Sequence, residues 1–252
     1  LPSGLYNGMV SPVIPFAIRG ILWYQGEQNI SNAWEYRAQF PLLIRSWREA
    51  WGEELPFLYA QLPGLGASSK NPSDDAKQNN ASWNELRDAQ WLGLDEPRTA
   101  MITTIDLGDG NIHPINKQDV GARFALAARA VALGEKNEYS GPLYDSMSIE
   151  GSKIRVKFTH TDGGLIAKDA PDGALSRFAI AGADQKYVWA DARIDGDTVV
   201  VWHDSIPTPV AVSYAWAINP EGANLFNQAG LPAAPFRSDD WPMRTLGKKA
   251  PY

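Results

Sequence analysis

The sequence predicts an α/β fold: part of a parallel β-sheet with flanking helices over residues 1–140, followed by an antiparallel, β-rich, sandwich-like module over residues 141–252. Three observations predict it. Short apolar runs rich in β-formers at residues 18–24, 57–61 and 100–105 alternate with segments whose apolar residues recur at helical spacing. That order, strand then helix repeated, implies parallel strands joined by crossover helices. Beyond Gly141 the period changes to two, as in Lys153-Ile154-Arg155-Val156-Lys157-Phe158, the pattern of a half-buried strand.

Residues 5–17 carry Asn7, Gly8, Pro12 and Pro15 among apolar residues and read as a short helix or irregular lead-in. Ile18, Ile21, Leu22, Trp23 and Tyr24 form the first strand, which Gln25-Gly26-Glu27-Gln28-Asn29 stops abruptly. A glycine between an amide and a carboxylate lets the backbone turn sharply and aims polar side chains beyond the strand's carboxyl end. In open α/β sheets ligands bind there. Glu27 and Asn29 are expected to meet the substrate on this turn, with Glu27 also bracing it by accepting nearby backbone N–H groups. Asn32, with Glu35 three positions on, predicts a capping box opening a helix. Its apolar face would be Trp34, Phe40, Leu43, Trp47 and Trp51; Pro41 should kink or split it, and Gly52 end it.

Phe57 to Gln61 is the second strand. The connection 62–78, rich in Gly, Ser, Pro, Asn and Asp, is long enough to be a functional loop. A helix from about Ala81 to Gly93 spaces Trp83, Leu86 and Trp91 on one face. The third strand, 100–105, leads into Asp106-Leu107-Gly108-Asp109-Gly110-Asn111-Ile112-His113-Pro114, too rich in turn residues for regular structure. Asn116 opens an Ala-rich helix that Gly134 closes. Three strands are few for a doubly covered sheet, so further strands are expected from outside the chain. In the second half, strands are predicted at 147–150, 153–158, 177–180, 188–194, 197–202 and 210–217, with a hairpin signal at Asp195-Gly196.

Bulk properties exclude several functions. A formal net charge of -6 with interspersed basic residues makes a nucleic-acid backbone a poor partner. No run of 18 apolar residues encodes a membrane span. The chain has no Cys, which removes thiolate nucleophiles and zinc-thiolate sites. No metal-ligand cluster or phosphate-binding glycine loop occurs, so neither metal nor cofactor is expected. The start, Leu1-Pro2-Ser3-Gly4, reads as a chain that begins partway through a longer polypeptide.

Three histidines are present. His160 and His203 lie at strand ends in the β-rich half and read as surface residues. His113 lies on a Gly- and Asp-rich loop directly after a buried parallel strand and is stiffened by Pro114. There an imidazole can serve as a general base near neutral pH.

Taken together, residues 20–29 (Gly-Ile-Leu-Trp-Tyr-Gln-Gly-Glu-Gln-Asn), the segment Asp106 to Pro114 with Lys117, and the stretch from Asn219-Pro220 to Arg237-Ser238-Asp239-Asp240-Trp241 resemble the sialate O-acetylesterase family. That family belongs to the SGNH hydrolases, flavodoxin-like α/β esterases. The resemblance implies hydrolysis of acetyl esters on sugars by a serine nucleophile, with His113 as base and Gln25 contributing to the oxyanion hole. An uncharged amide suits that role, since it donates N–H to a developing oxyanion without titrating. Many SGNH hydrolases carry an Asp three residues before the histidine, where this chain has Gly110; Asp109, Asp106 or the Asn111 carbonyl remain to orient the ring. The family's Gly-Gln-Ser-Asn block would lie upstream of residue 1. None of Ser68, Ser69, Ser146, Ser152 or Ser205 has its context, and no Gly-x-Ser-x-Gly elbow exists. An amino-terminal fragment or partner chain is therefore expected to bring the serine, with an acetylated sugar as substrate. Two other classes fit parts of the pattern: a glycosidase using Glu27 with Asp106 or Asp109, and a non-catalytic carbohydrate-binding protein built on the ten Trp.

Overall fold

The computed structural model describes residues 3–72 and 82–248. Residues 73–78 of the long connection and the expected helix start at Ala81 lie outside the described residues. Strands β1 (Ile21–Trp23), β2 (Phe57–Ala60) and β3 (Thr99–Ile102) pair in parallel in that order, with Leu22 opposite Leu58 and Leu58 opposite Ala100. Alternation along the strands sends Phe57, Tyr59 and Met101 to one face, against helices α1 (Ala33–Trp51) and α2 (Trp83–Trp91). Leu58, Ala60, Ala100 and Ile102 point to the other face, against Val120, Phe124 and Ala127 of α3 (Lys117–Val131). The result is a helix, sheet, helix sandwich.

Cover is uneven. Leu22 shares its face with Leu58 and Ala100, which are 2% and 0% exposed, yet it is itself 61% exposed. Helix α3 shields β2 and β3 and leaves β1 bare. Leu5, Met9 and Phe16 in the lead-in are exposed as well.

Several predicted details are corrected. Helix α1 runs unbroken for 19 residues through Pro41. Tyr36 and Phe40 before the proline, and Ile44 after it, pack into one core, and Phe40 lies edge-on to Tyr59 at 4.8 Å. Packing on both sides of the proline offsets the roughly 3 kcal/mol that an interior proline costs. The core face is Ala33, Tyr36, Phe40, Ile44 and Arg48, so Trp34 falls outside it. Asn32 makes no side-chain cap bond; its amide donates instead to Glu35 at 3.3 Å. A 3-10 turn, Glu27–Asn32, feeds straight into the helix. Gly52 does end it, in the left-handed conformation with φ 69°. At α3, Asn116 caps through its side chain, accepting from the Asp119 N–H at 3.2 Å.

The second half holds ten strands among the described residues rather than six. One sheet has the order β4-β5-β10-β9 (Leu143–Glu150, Lys153–Thr159, Thr198–Trp202, Asp191–Asp195), with β9 and β10 joined at Asp195-Gly196 as the hairpin signal predicts. A second has the order β13-β11-β7-β8 (Phe236–Arg237, Ala211–Tyr214, Phe178–Ala181, Tyr187–Trp189). Both contribute to one apolar core containing Ile154, Val156, Phe178, Val199, Val212 and Tyr214. The run 188–194, read as a single strand, divides at Ala190 and contributes β8 to one sheet and β9 to the other. The pair β6 (Leu165–Ala167) and β12 (Leu225–Asn227) is too short for its alternation to stand out.

Two buried ionic groups of α2 fasten the halves together. The Glu85 carboxylate accepts N–H bonds from Arg244 (2.7 Å) and Thr245 (3.1 Å) and the Thr245 hydroxyl (2.6 Å). That hydroxyl oxygen also accepts the Trp34 N–H of α1 at 3.0 Å. Arg87, 1% exposed, donates to the carbonyls of Leu62 (2.7 Å) and Pro63 (2.6 Å) beyond β2 and of Ala217 (2.6 Å) and Ile218 (2.9 Å) beyond β11. Replacing Arg87 by Met strands these buried acceptors and should cost about 3 kcal/mol or more in chemical denaturation. A loss under about 1 kcal/mol would show that this link is dispensable.

Candidate active site

The Gln25 turn is built by its neighbours. Gly26 packs so closely on α2 that an added Cβ would lie 2.8 Å from Leu86 Cδ2, and its backbone has φ 152°, so only glycine fits. The Asn29 N–H closes the turn on the Gly26 carbonyl at 2.9 Å. Gln90, fully buried on α2, donates to the carbonyls of Gln25 (3.2 Å) and Ala60 (3.1 Å) and accepts the Leu62 N–H (3.0 Å). One side chain thus pins the ends of β1 and β2 together.

The Gln25 amide is held from both ends. Its Oε1 accepts the Tyr36 hydroxyl at 3.1 Å, and its Nε2 donates to Asn29 Oδ1 at 2.7 Å. Burial first, and the Glu27 charge as well, push the Tyr36 phenol up to about 12, so it remains a donor at neutral pH. An amide nitrogen has two N–H groups, and the second on Gln25 has no partner among the described residues. Asn29, expected to meet substrate, is thus the group that sets the Gln25 rotamer. Glu27 is half-buried and opens the 3-10 turn, but its carboxylate takes no backbone N–H among the described residues, so the expected bracing role is corrected.

The loop after β3 is shaped by its own polar side chains. Asp109 accepts the Asn111 N–H at 2.9 Å and the Ile115 N–H at 3.4 Å, and Asn111 Oδ1 accepts the His113 N–H at 3.0 Å. Gly110 lies against the second connection: the Gly66 N–H donates to its carbonyl at 2.8 Å, and an added Cβ would meet the Gly66 carbonyl at 3.0 Å, with φ at 80°. That crowding explains why Gly occupies the position where an Asp would be expected. Asp106 forms a bidentate pair with Arg123, 2.6 Å at each oxygen, which occupies both lone-pair faces toward that cation. His113 is exposed, and its ring has no hydrogen-bond partner among the described residues.

Parallel strands place the Gln25 turn and the His113 loop at the same end of the sheet, two strand spacings or roughly 10 Å apart at the strand ends. A contact joins them: Lys117 Nζ sits over the Tyr24 ring at 4.7 Å from its centroid. The other histidines are occupied elsewhere. His160, expected at the surface, is partly exposed and bonds Glu138 at 2.9 Å, and His203 bonds Ser205 Oγ at 2.7 Å in an exposed turn. Ser68 takes a hydrogen bond from Arg177 at 2.8 Å, and Ser146 bonds Asp145 at 2.9 Å.

A family model described as carbohydrate esterase, sialic acid-specific acetylesterase, matches residues 3–130 of the 252. The chain belongs to that acetylesterase family. The matched span takes in both turns of the site. Sialate O-acetylesterases from Homo sapiens and Pongo abelii are each 31% identical over 255 residues, with 93% of this chain and 48% of the relative aligned. The mouse sialate O-acetylesterase is 31% identical over 258 residues, covering 93% and 47%. Among solved structures, a carbohydrate acetylesterase from Xanthomonas citri superposes with a TM-score of 0.88 at 43% identity, over 96% of this chain and 55% of that one. The chain spans about half the length of the curated relatives it matches.

For an acetylesterase fold of this kind the two-carboxylate alternative loses its footing, since Asp106 is locked to Arg123 and Asp109 to its own loop. Two supporting residues escape a sequence reading. Gln90 and Tyr36 have no motif around them; their signal is that each is polar-ended yet falls on the buried stripe of its helix. Replacing Asp109 by Ala should speed amide hydrogen exchange at Asn111 and Ile115 about tenfold, because the acceptor that orders both is lost. Unchanged exchange would mean that the loop is ordered by its contact with Gly66 alone.

Proposed function

We propose that this chain supplies the general base and an oxyanion-hole amide of a carbohydrate O-acetylesterase, with the serine nucleophile brought by an upstream segment or a partner chain. The observation that carries the reading is an unspent N–H on a rigidly held Gln25 at the same sheet end as an exposed, unbonded His113 ring. The bare outer edge of β1 supports the second part. Leu22 needs cover from a helix and β1 needs a neighbouring strand, and the flavodoxin-like strand order 2-1-3-4-5 would place two further strands there.

In this mechanism the incoming serine Oγ attacks the acetyl carbonyl carbon while His113 takes its proton. The carbonyl oxygen becomes an oxyanion and accepts the second Gln25 N–H, together with backbone N–H groups beside the serine. Collapse breaks the bond to the sugar oxygen, which leaves as an alcohol with the proton from His113. Water, deprotonated by the same ring, then attacks the acetyl-serine and releases acetate. Asp109 acts on the backbone of the His113 loop as a positioning residue, and Asn29 and Tyr36 fix the Gln25 amide. The substrate is an acetylated sugar, and Glu27 and Asn29 border its approach.

The chain alone should release no acetate from acetylated sugars, and addition or fusion of the upstream segment should restore release; activity of the chain by itself would remove the missing serine from the account. In the restored enzyme His113→Ala should lose about 1000-fold or more in kcat with the circular dichroism spectrum unchanged. Gln25→Ala should lower kcat on the order of 100-fold with little change in KM, whereas the reverse split would make it a substrate-binding residue.

A further inference from the structure

Beside the loop that carries His113 lies a cleft of about 910 Å³. One wall is formed by the connections at the carboxyl ends of β2 and β3, residues 66–68 and 105–110, where ligands of open α/β sheets bind. The opposite wall comes from the antiparallel half, residues 168–176 and 219–226. The walls are stitched together at their base. Arg177 donates to the Ser68 hydroxyl (2.8 Å) and the Ser69 carbonyl (2.7 Å) on one side and to the Glu221 carbonyl (2.6 Å) on the other. Asn219 donates to the Gly66 carbonyl at 2.7 Å, and the Leu65 N–H bonds the Ile218 carbonyl at 3.2 Å. The cleft is therefore preformed.

Its charge is one-sided. Asp106, Asp109, Asp169, Asp172 and Glu221 line it, against the ammonium of Lys168 in the lining and the Arg177 guanidinium at its base. Arg123 neutralises Asp106, Arg177 at the base lies close enough to Glu221 to interact with its charge, and Lys168 is drawn over the Phe226 ring at 4.6 Å, while Asp109 and Asp172 accept only backbone N–H groups of their own loops among the described residues, so the lining keeps an excess of negative charge. Carboxylates accept hydrogen bonds from sugar hydroxyls and repel a sugar that itself carries a carboxylate. Resting on the esterase reading above, we propose that this cleft binds the glycan portion of the substrate and selects an uncharged acetylated sugar over an acidic one such as a sialic acid.

The test compares kcat/KM of the full-length enzyme on chemically acetylated cellobiose, on 9-O-acetylated N-acetylneuraminic acid and on 4-nitrophenyl acetate. The neutral sugar should be favoured over the sialic acid at least about tenfold at low ionic strength, with the ratio narrowing as salt shortens the Debye length. A double variant, Asp169→Asn with Glu221→Gln, should raise kcat/KM for the sialic acid about fivefold relative to the neutral sugar. Preference for the sialic acid, abolished by Lys168→Gln, would overturn the charge selection while leaving the esterase intact. Turnover of 4-nitrophenyl acetate with neither sugar accepted would overturn the cleft as the glycan site. Failure on all three esters would overturn the esterase reading and this proposal with it.

Discussion

Much of the molecule depends on one buried guanidinium. Taking Arg87 out of water is costly unless its donors are matched, and they are matched by carbonyls from two distant stretches: Leu62 and Pro63 at the ligand end of the sheet, Ala217 and Ile218 at the exit of β11. The planar fork tolerates little displacement of its acceptors, so the antiparallel half is held in register with the loop that leaves β2. Trp83, one turn earlier on the same helix, reinforces the link by donating to the Pro63 carbonyl at 2.7 Å. The cleft walls inherit their spacing from this junction. An apolar contact of equal area would adhere without fixing orientation.

The same helix shapes the Gln25 turn at one remove. Leu86 sets how tightly the Gly26 turn must pack, Gln90 ties the backbone of Gln25 to the end of β2, and α1 contributes Tyr36 from the neighbouring side. A side-chain amide in solvent rotates freely. Here its carbonyl end and one of its hydrogens are already engaged, so the remaining hydrogen points in a direction set by the protein. The His113 loop follows a different logic, being shaped by short polar side chains bonding to their own backbone, which sharpens a turn while leaving the ring on it without a hydrogen-bond partner among the described residues.

Legibility in the sequence followed the strength of the local signal. The three apolar runs marked the parallel strands, and the turn that carries Gln25 and the loop that carries His113 each follow one, at the end where open sheets bind ligands. What could not be read was set by tertiary context. Pro41 carries a strong breaking signal that the packing of Tyr36, Phe40 and Ile44 overrides, and β6, β12 and β13 are each too short for alternation to be distinguished from chance. The division at Ala190 is invisible for the same reason, since both resulting strands share one apolar pattern. Asp109 looked like a partner for the imidazole because Asp commonly plays that part; its actual bonds go to the backbone, which Asp-Gly sequences favour on their own account.

The fastening at Glu85 has a consequence for the order of events during synthesis. Its carboxylate lies on the inward side of α2, yet the donors that fill its acceptor sites among the described residues are Arg244 and Thr245, the latter 160 residues further along. A nascent chain that has already formed α2 must carry an uncompensated acid against its core until those residues have been made. The layer of α1 and α2 can therefore reach its final packing only as a late, long-range step, after the intervening antiparallel half has taken shape.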